Sequence, residues 1–116
     1  MAPPSRISIA TGSLNRLVKE EASYHREQRQ QQDSITKLEQ GQSSDENAEY
    51  QLRQERKALE ETKALFPRLR LQIQEARAKL EQQLEDEGQG GQSTAEEITK
   101  AKEAVAASLV AEREIR

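Results

Sequence analysis

The chain has 116 residues, a formal net charge of −3, and 34% charged against 33% hydrophobic residues. Its 21 Leu, Ile, Val and Phe residues are too few for layered sheets around a globular core, whereas long helices that share a narrow seam need fewer. The chain has no cysteine and one histidine, which excludes disulfides, thiol nucleophiles, thiolate metal sites and multi-histidine metal centres. We therefore expect no metal and no cofactor.

The chain begins with residues that carry no apolar stretch of the kind found in secretory signals, and residues 1–12 are expected to form a flexible segment. The first predicted helix covers residues 13–40. Its polar seam members either fix the register or lie at the bundle edge, and the alternative is a thin core that rearranges around a client. His25 falls one residue past the seam and is expected on the solvated surface. The seam positions are Leu14, Leu17, Glu21, Tyr24, Gln28, Gln31, Ile35 and Leu38.

The second predicted helix follows an acidic, turn-forming break at 43–47 and covers residues 47–87. It has the strongest periodic signal of the chain, because its seam positions alternate in steps of four and three residues. At about 1.5 Å per residue this helix would be about 60 Å long. Its seam positions are Ala48, Leu52, Glu55, Leu59, Thr62, Phe66, Leu69, Ile73, Ala76, Leu80 and Gln83.

Pro67 interrupts the second helix near its middle. Proline has no N–H to donate to the carbonyl of Lys63, and its ring crowds that carbonyl, so a kink is expected. The seam spacing continues through Phe66, Leu69 and Ile73, which favours one bent helix with a concave side. The alternative is two helices joined at Pro67.

The third predicted helix covers residues 94–116, after an acidic, glycine-rich break at 86–93. Ser93 and Thr94, each followed three residues later by Glu96 and Glu97, indicate a capping box at its start. Leu109 and Val110 are expected to widen its seam. The seam positions are Ile98, Ala101, Val105, Ser108, Glu112 and Ile115.

Together these elements predict an all-α fold, a rod-like antiparallel three-helix bundle that forms a single domain over residues 13–116. The longest apolar-leaning run, residues 104–111, is far too short to span a membrane, so a cytoplasmic location and no membrane partner are expected. The heptads do not decide whether the seam closes within one chain or between chains. A structural coiled-coil adaptor is therefore one open function, and a monomer and a homodimer are both open states.

A basic edge beside the seam of the second helix is the first candidate for partner binding. It consists of Arg56, Lys63, Arg70 and Arg77, which recur every seven residues. Such residues either pair with glutamates of a neighbouring helix, as flanking heptad positions do, or form an electrostatic docking edge for an acidic protein.

Two leucines near the proline are the second candidate. Leu65 and Leu71 fall off the seam and either form a small apolar contact patch or turn inward at the kink and pack on the third helix. Nucleic-acid binding is not expected, because basic residues are interspersed with acidic ones along each helix and only three aromatic side chains are present. No nucleophile lies in a pattern with a base and an orienting group, so the chain is predicted not to be an enzyme.

Two sequence segments resemble the tubulin-specific chaperone A family, also called tubulin-folding cofactor A. The first reads Thr-Gly-Ser-Leu-Asn-Arg-Leu-Val-Lys-Glu over residues 11–20 and is followed by Tyr24. The second begins at Asn47 and Tyr50 and ends in Leu-Glu-Glu-Thr-Lys-Ala-Leu-Phe-Pro over residues 59–67. The resemblance spans about residues 7–87, and the third helix matches only in position and character.

The resemblance implies a small three-helix bundle that captures quasi-native β-tubulin after the cytosolic chaperonin. Such proteins hand β-tubulin to other tubulin-folding cofactors on the way to the αβ-heterodimer, and they hydrolyse no nucleotide. They bind through helical surfaces, which agrees with the two candidate features on the second helix. A cytoplasmic, cytoskeleton-associated chaperone is therefore expected, with Arg56, Lys63, Arg70 and Arg77 steering acidic tubulin and Leu65 and Leu71 covering apolar surface.

Overall fold

The computed structural model describes residues 4–41, 46–88, 91 and 93–115. They form three α-helices: α1 (Arg6–Glu39), α2 (Ala48–Glu87) and α3 (Ala95–Glu114). The molecule measures 67 × 30 × 16 Å, and the 40 residues of α2 account for its length at about 1.5 Å per residue. The predicted all-α, rod-like three-helix fold is confirmed. The parts of the predicted N-terminal segment, breaks and C-terminus at residues 1–3, 42–45, 89–90, 92 and 116 lie outside the described residues.

Contacts between the helices set their directions. Near the α1–α2 connection, Glu39 pairs with Arg56, whereas further along the rod the His25 ring stacks on Phe66. Residue numbers thus fall along α1 as they rise along α2, and the two helices are antiparallel. At the other end of the rod, Ser5 at the start of α1 bonds to Glu97 in the first turn of α3. The chain therefore runs up, down and up.

The start of α1 corrects the prediction, because the helix begins at Arg6 and not at Ser13. Ser5 is its N-cap, and the Ser5 hydroxyl accepts a hydrogen bond from the Ser8 backbone N–H at 3.1 Å. Ile7 is 1% exposed within the core, so the first turns bury apolar surface against the other helices. Residues 6–12 are therefore a packed part of the bundle.

The second helix is continuous from Ala48 to Glu87 and includes Pro67. The alternative of two separate helices joined at Pro67 is wrong. Phe66, Leu69 and Ile73 on either side of the proline are all buried, so the core face is unbroken there. Whether the helix bends at Pro67 stays a prediction.

The predicted capping box of α3 is confirmed. The Thr94 hydroxyl accepts a hydrogen bond from the Glu97 backbone N–H at 3.1 Å, and the Glu97 carboxylate accepts one from the Thr94 backbone N–H at 2.9 Å. These bonds satisfy two donors that the first turn of a helix would otherwise leave without a partner. They fix where α3 begins and hence which part of the rod it covers.

The core follows the predicted seams, because every seam position of the three helices is buried or half-buried. Burial is most complete where all three helices are side by side, at residues such as Leu14, Ile73 and Leu80. The seam positions of α2 before Leu59 are only half-buried, since α3 is shorter than the other helices and leaves the far half of the rod two helices thick. The described seams are thus covered most completely where α3 is present, and the choice between a monomer and a homodimer stays a prediction.

Candidate partner-binding surface

The two outer members of the basic edge pair with other helices. Arg77 Nη2 lies 3.3 Å from Glu112 Oε2 of α3, and both side chains are largely buried, at 13% and 15% exposure. Arg56 Nη2 lies 3.2 Å from Glu39 Oε2 of α1 in an exposed pair. For these two arginines the structure supports the interpretation that flanking heptad residues pair inside the bundle.

The two inner members of the basic edge are exposed. Lys63 Nζ lies 3.8 Å from Glu60 Oε1 one turn earlier on α2, which is a weak exposed contact. Arg70 lies near the carboxylate of Glu112 at the flank of α3. The basic edge therefore divides into paired ends and an exposed middle.

The pKa of Glu112 shows which side chains of α2 favour the ionised form of this carboxyl group. A hydrogen bond from Gln74 lowers the pKa of Glu112 most, and the hydrogen bond and charge of Arg77 lower it further. The charge of Arg70 adds a smaller decrease of the same sign. Glu112 is thus kept ionised by three side chains of α2, which ties α3 to this edge.

Leu65 and Leu71 are both on the surface, at 43% and 54% exposure. The alternative that they turn inward or pack on the third helix is wrong. They are six positions apart in the chain, and at about 100° per residue they lie roughly 120° apart around α2. The structure therefore leaves both leucines available to a partner but does not bring them together into one patch. Pro67, also exposed, lies between them in the chain.

Leu109 and Val110 of α3 do not widen the seam as predicted, since they are 45% and 48% exposed. The buried face of α3 consists instead of small residues at helical spacing, which allow close approach to α1 and α2. The helical spacing of these small side chains is visible in the sequence, but a prediction based on large apolar residues does not detect it. The buried small residues are Ala101, Ala104, Ser108 and Ala111.

His25 is not the solvated surface residue that the sequence suggested. Its ring stacks on Phe66 with centroids 4.7 Å apart and planes at 27°, and its Nε2 contacts the Glu21 carboxylate one turn earlier. Tyr24 meets the same Phe66 edge-on, with centroids 6.5 Å apart. Sequence reasoning missed this cluster, although a glutamate on the seam with a histidine four residues later was visible.

Burial raises the pKa of Glu21, which is 5% exposed, and the charge of Glu114 at the end of α3 raises it further. The charge of His25 and its hydrogen bond oppose this shift without cancelling it. A carboxyl group in this position favours its neutral form more than one in water does. The ionised form of Glu21, in the α1 seam beside the end of α3, is thus destabilised relative to its neutral form in this position.

Other site classes find no support in the described parts of the chain. Within residues 4–41, 46–88, 91 and 93–115, no three His, Cys, Asp or Glu side chains are placed to hold a metal ion. No helix in the same ranges is long and apolar enough to cross a membrane.

Comparison with known proteins decides the family. The family model described as tubulin binding cofactor A matches residues 2–105. The chain belongs to the tubulin binding cofactor A family. Tubulin-specific chaperone A of Saccharomyces cerevisiae is 35% identical over 79 residues, which cover 68% of this chain and 72% of that protein. The Mus musculus protein of the same name is 32% identical over 89 residues, which cover 75% and 79%.

Membership in the tubulin binding cofactor A family implies a chaperone role in tubulin folding, and this role is not enzymatic. No solved structure matches the chain. The family match ends at Val105, so Glu112, which holds Arg77, lies beyond the matched residues. The exposed middle of the basic edge, at Lys63 and Arg70, lies inside them.

Proposed function

We propose that this chain captures quasi-native β-tubulin after the cytosolic chaperonin and passes it to other tubulin-folding cofactors toward αβ-heterodimer assembly. The capture needs no ATP hydrolysis and takes place in the cytoplasm, in association with the cytoskeleton, with the chain as a monomer or a homodimer. Membership in the tubulin binding cofactor A family supports this role, as do the names of its relatives.

The exposed middle of the basic edge is the observation that carries the proposed contact. Lys63 and Arg70 are exposed on α2, while Arg56 and Arg77 are already paired with other helices. No acidic residue lies in α2 between Glu61 and Glu75. This stretch therefore presents positive charge that would steer an acidic tubulin surface toward α2.

Leu65 and Leu71 would supply the apolar part of the same contact. Both are exposed on the two sides of Pro67, within two residues of Lys63 or Arg70 in the chain. In the αβ-heterodimer, the apolar β-tubulin surface that they cover would be protected by the α-subunit. Since the two leucines lie roughly 120° apart around α2, a client would have to wrap partly around the helix to touch both.

The role itself is tested by mixing the purified chain with chaperonin-released β-tubulin and, separately, with α-tubulin. Size-exclusion chromatography with light scattering reports the complex mass and hence the stoichiometry. A stable complex with β-tubulin alone is the expected outcome. A dimeric free chain that forms no complex with either subunit would instead support the structural coiled-coil adaptor.

The basic edge is tested by the double charge reversal Lys63→Glu/Arg70→Glu. Weaker capture of β-tubulin is expected, most clearly at low salt, with unchanged helicity because both side chains are exposed. Arg53→Glu/Lys79→Glu is the matched control, since these exposed residues lie on α2 outside the stretch from Lys63 to Leu71, roughly 15 Å before it and 12 Å after it along the helix. Normal binding by the first variant, or equal loss in both, would remove this edge from the contact.

A further inference from the structure

The groove between α1 and α2 continues past the point where α3 ends. Glu114 and Ile115 at the end of α3 line a cavity of about 440 Å³ together with His25, Gln28, Lys63 and Phe66. A second cavity of about 350 Å³ shares His25 and Glu114 and also contacts Arg26 and Arg29. Among the described residues, only α1 and α2 continue beyond this level to their connection, so the groove between them is open along this part of the rod.

The open groove combines an apolar floor with a basic rim. Phe66 and Ile115 form the floor and are each almost fully buried. Arg26 and Arg29 of α1 are exposed on one side, and Lys63 of α2 is exposed on the other. Three carboxyl groups lie beside these cations: Glu21 contacts His25, Glu114 belongs to α3 itself, and Glu60 lies 3.8 Å from Lys63 in an exposed pair.

The part of the groove that α3 occupies shows which kind of helix fits it. There α3 buries Ala104, Ala111 and Ile115 and directs Glu112 to Arg77. The basic edge repeats every seven residues, so Lys63 lies on the edge of α2 two heptads below Arg77. A second helix in line with α3 would therefore meet a cationic flank on the same edge of α2.

We propose that this open groove binds an acidic amphipathic helix of a partner protein, end to end with α3. The apolar stripe of the partner helix fills the cavity over Phe66 and Ile115, and its carboxylates pair with Arg26, Arg29 and Lys63. The exposed contact between Lys63 and Glu60 at 3.8 Å is weak and exchanges readily for a new partner. This inference goes beyond tubulin capture, because the groove adds Arg26 and Arg29 of α1 and shares only Lys63 with the basic edge.

The test uses a fluorescein-labelled synthetic peptide of about three heptads, with leucine at the seam positions and glutamate at the flanking ones. A rise in fluorescence anisotropy with the full-length chain, together with a gain in helicity by circular dichroism, is expected. The Arg26→Glu/Arg29→Glu variant is expected to bind this peptide about tenfold more weakly. An analogue with lysine in place of glutamate is expected not to bind.

Arg16→Glu/Lys19→Glu is the matched control, because it reverses two exposed cations of α1 at the same spacing of three residues, away from the groove. It is expected to bind the acidic peptide normally. Absence of binding to the native chain, equal weakening by the control, or binding of the lysine analogue would each overturn the proposal. A dimer of the free chain that Arg26→Glu/Arg29→Glu dissociates would also overturn it, since a second copy would then occupy the groove. The assay contains no tubulin, so its failure is separate from a failure of β-tubulin capture.

Discussion

The Ser5 hydroxyl donates a hydrogen bond to the Glu97 carboxylate, 92 residues later in the chain. Ser5 is the N-cap of α1, and Glu97 closes the capping box of α3, so one bond joins the starts of two helices. Because these helices run in the same direction, their starts lie side by side at one end of the rod. The bond therefore sets the level along the rod at which α3 begins. Together with the length of α3, it also sets the level at which α3 ends.

Ser5→Ala is expected to lower the free energy of unfolding by about 1 kcal/mol, since it removes a helix cap and the bond to Glu97. Urea unfolding followed by circular dichroism measures the change. Ser13→Ala is the control, because Ser13 is an exposed residue of the same helix and alanine favours helix there. Equal stability of the native chain and Ser5→Ala would show that the bond contributes nothing in solution.

The same variant is expected to respond differently to acid. The hydrogen bond from Ser5 is the largest cause that lowers the pKa of Glu97 from its ordinary value of 4.5. A lowered folded-state pKa stabilises the chain fully above 4.5 and loses that effect as pH falls through the lowered value. The stability difference between the native chain and Ser5→Ala should therefore shrink in acid. Thermal unfolding at neutral pH and at about pH 3 checks this, and a constant difference would contradict it.

Glu21 is expected to give the opposite pH dependence. Burial raises its folded-state pKa, so its contribution is most favourable below 4.5 and is lost as pH rises through the raised value. Glu21→Gln, which keeps the shape without the charge, should gain thermal stability relative to the native chain as pH rises. Melting temperatures at about pH 5 and about pH 8 measure the gain. Glu20→Gln on the exposed face next to it is the control and should show no such trend.

Substitutions in the paired and in the exposed part of the basic edge are expected to change the melting temperature by different amounts. Arg77→Glu places a second carboxylate against the largely buried Glu112 and is expected to lower the melting temperature strongly. Lys63→Glu changes an exposed side chain and should have little effect. The reciprocal variant Arg77→Glu/Glu112→Arg should recover part of the loss. If both single reversals left the melting temperature unchanged, the pairing of Arg77 with α3 would not stabilise the bundle.

Heptad spacing was sufficient to predict the core, because positions such as Leu14, Ile73 and Leu80 repeat at the period of a bundle seam. The early start of α1 was missed, since Thr11 and Gly12 have low helix propensity, which the Ser5 cap and packing against the other helices offset. Whether each residue of the basic edge is paired or exposed depends on tertiary contacts that no local sequence pattern contains. Arg77 is paired because α3 reaches Glu112, whereas Lys63 is exposed because α3 ends before it.

Pro67 is expected to affect both the stability and the shape of α2. Pro67→Ala restores a backbone N–H for the Lys63 carbonyl on an exposed face, so a gain of about 1–3 kcal/mol in the free energy of unfolding is expected. If Pro67 bends α2, the variant is also straighter and longer by small-angle X-ray scattering. A client fitted to the concave side of a bent rod would then bind more weakly.

Pro4→Ala is the control for this substitution, because Pro4 is exposed and precedes α1. It should change neither the stability nor the maximum dimension of the chain. Three measurements on the two variants, namely urea unfolding, scattering and β-tubulin capture, separate the backbone effect of the proline from its effect on shape. A more stable Pro67→Ala variant with unchanged dimensions and unchanged capture would contradict a functional bend, since removal of the proline would then have altered only the helix hydrogen bonding.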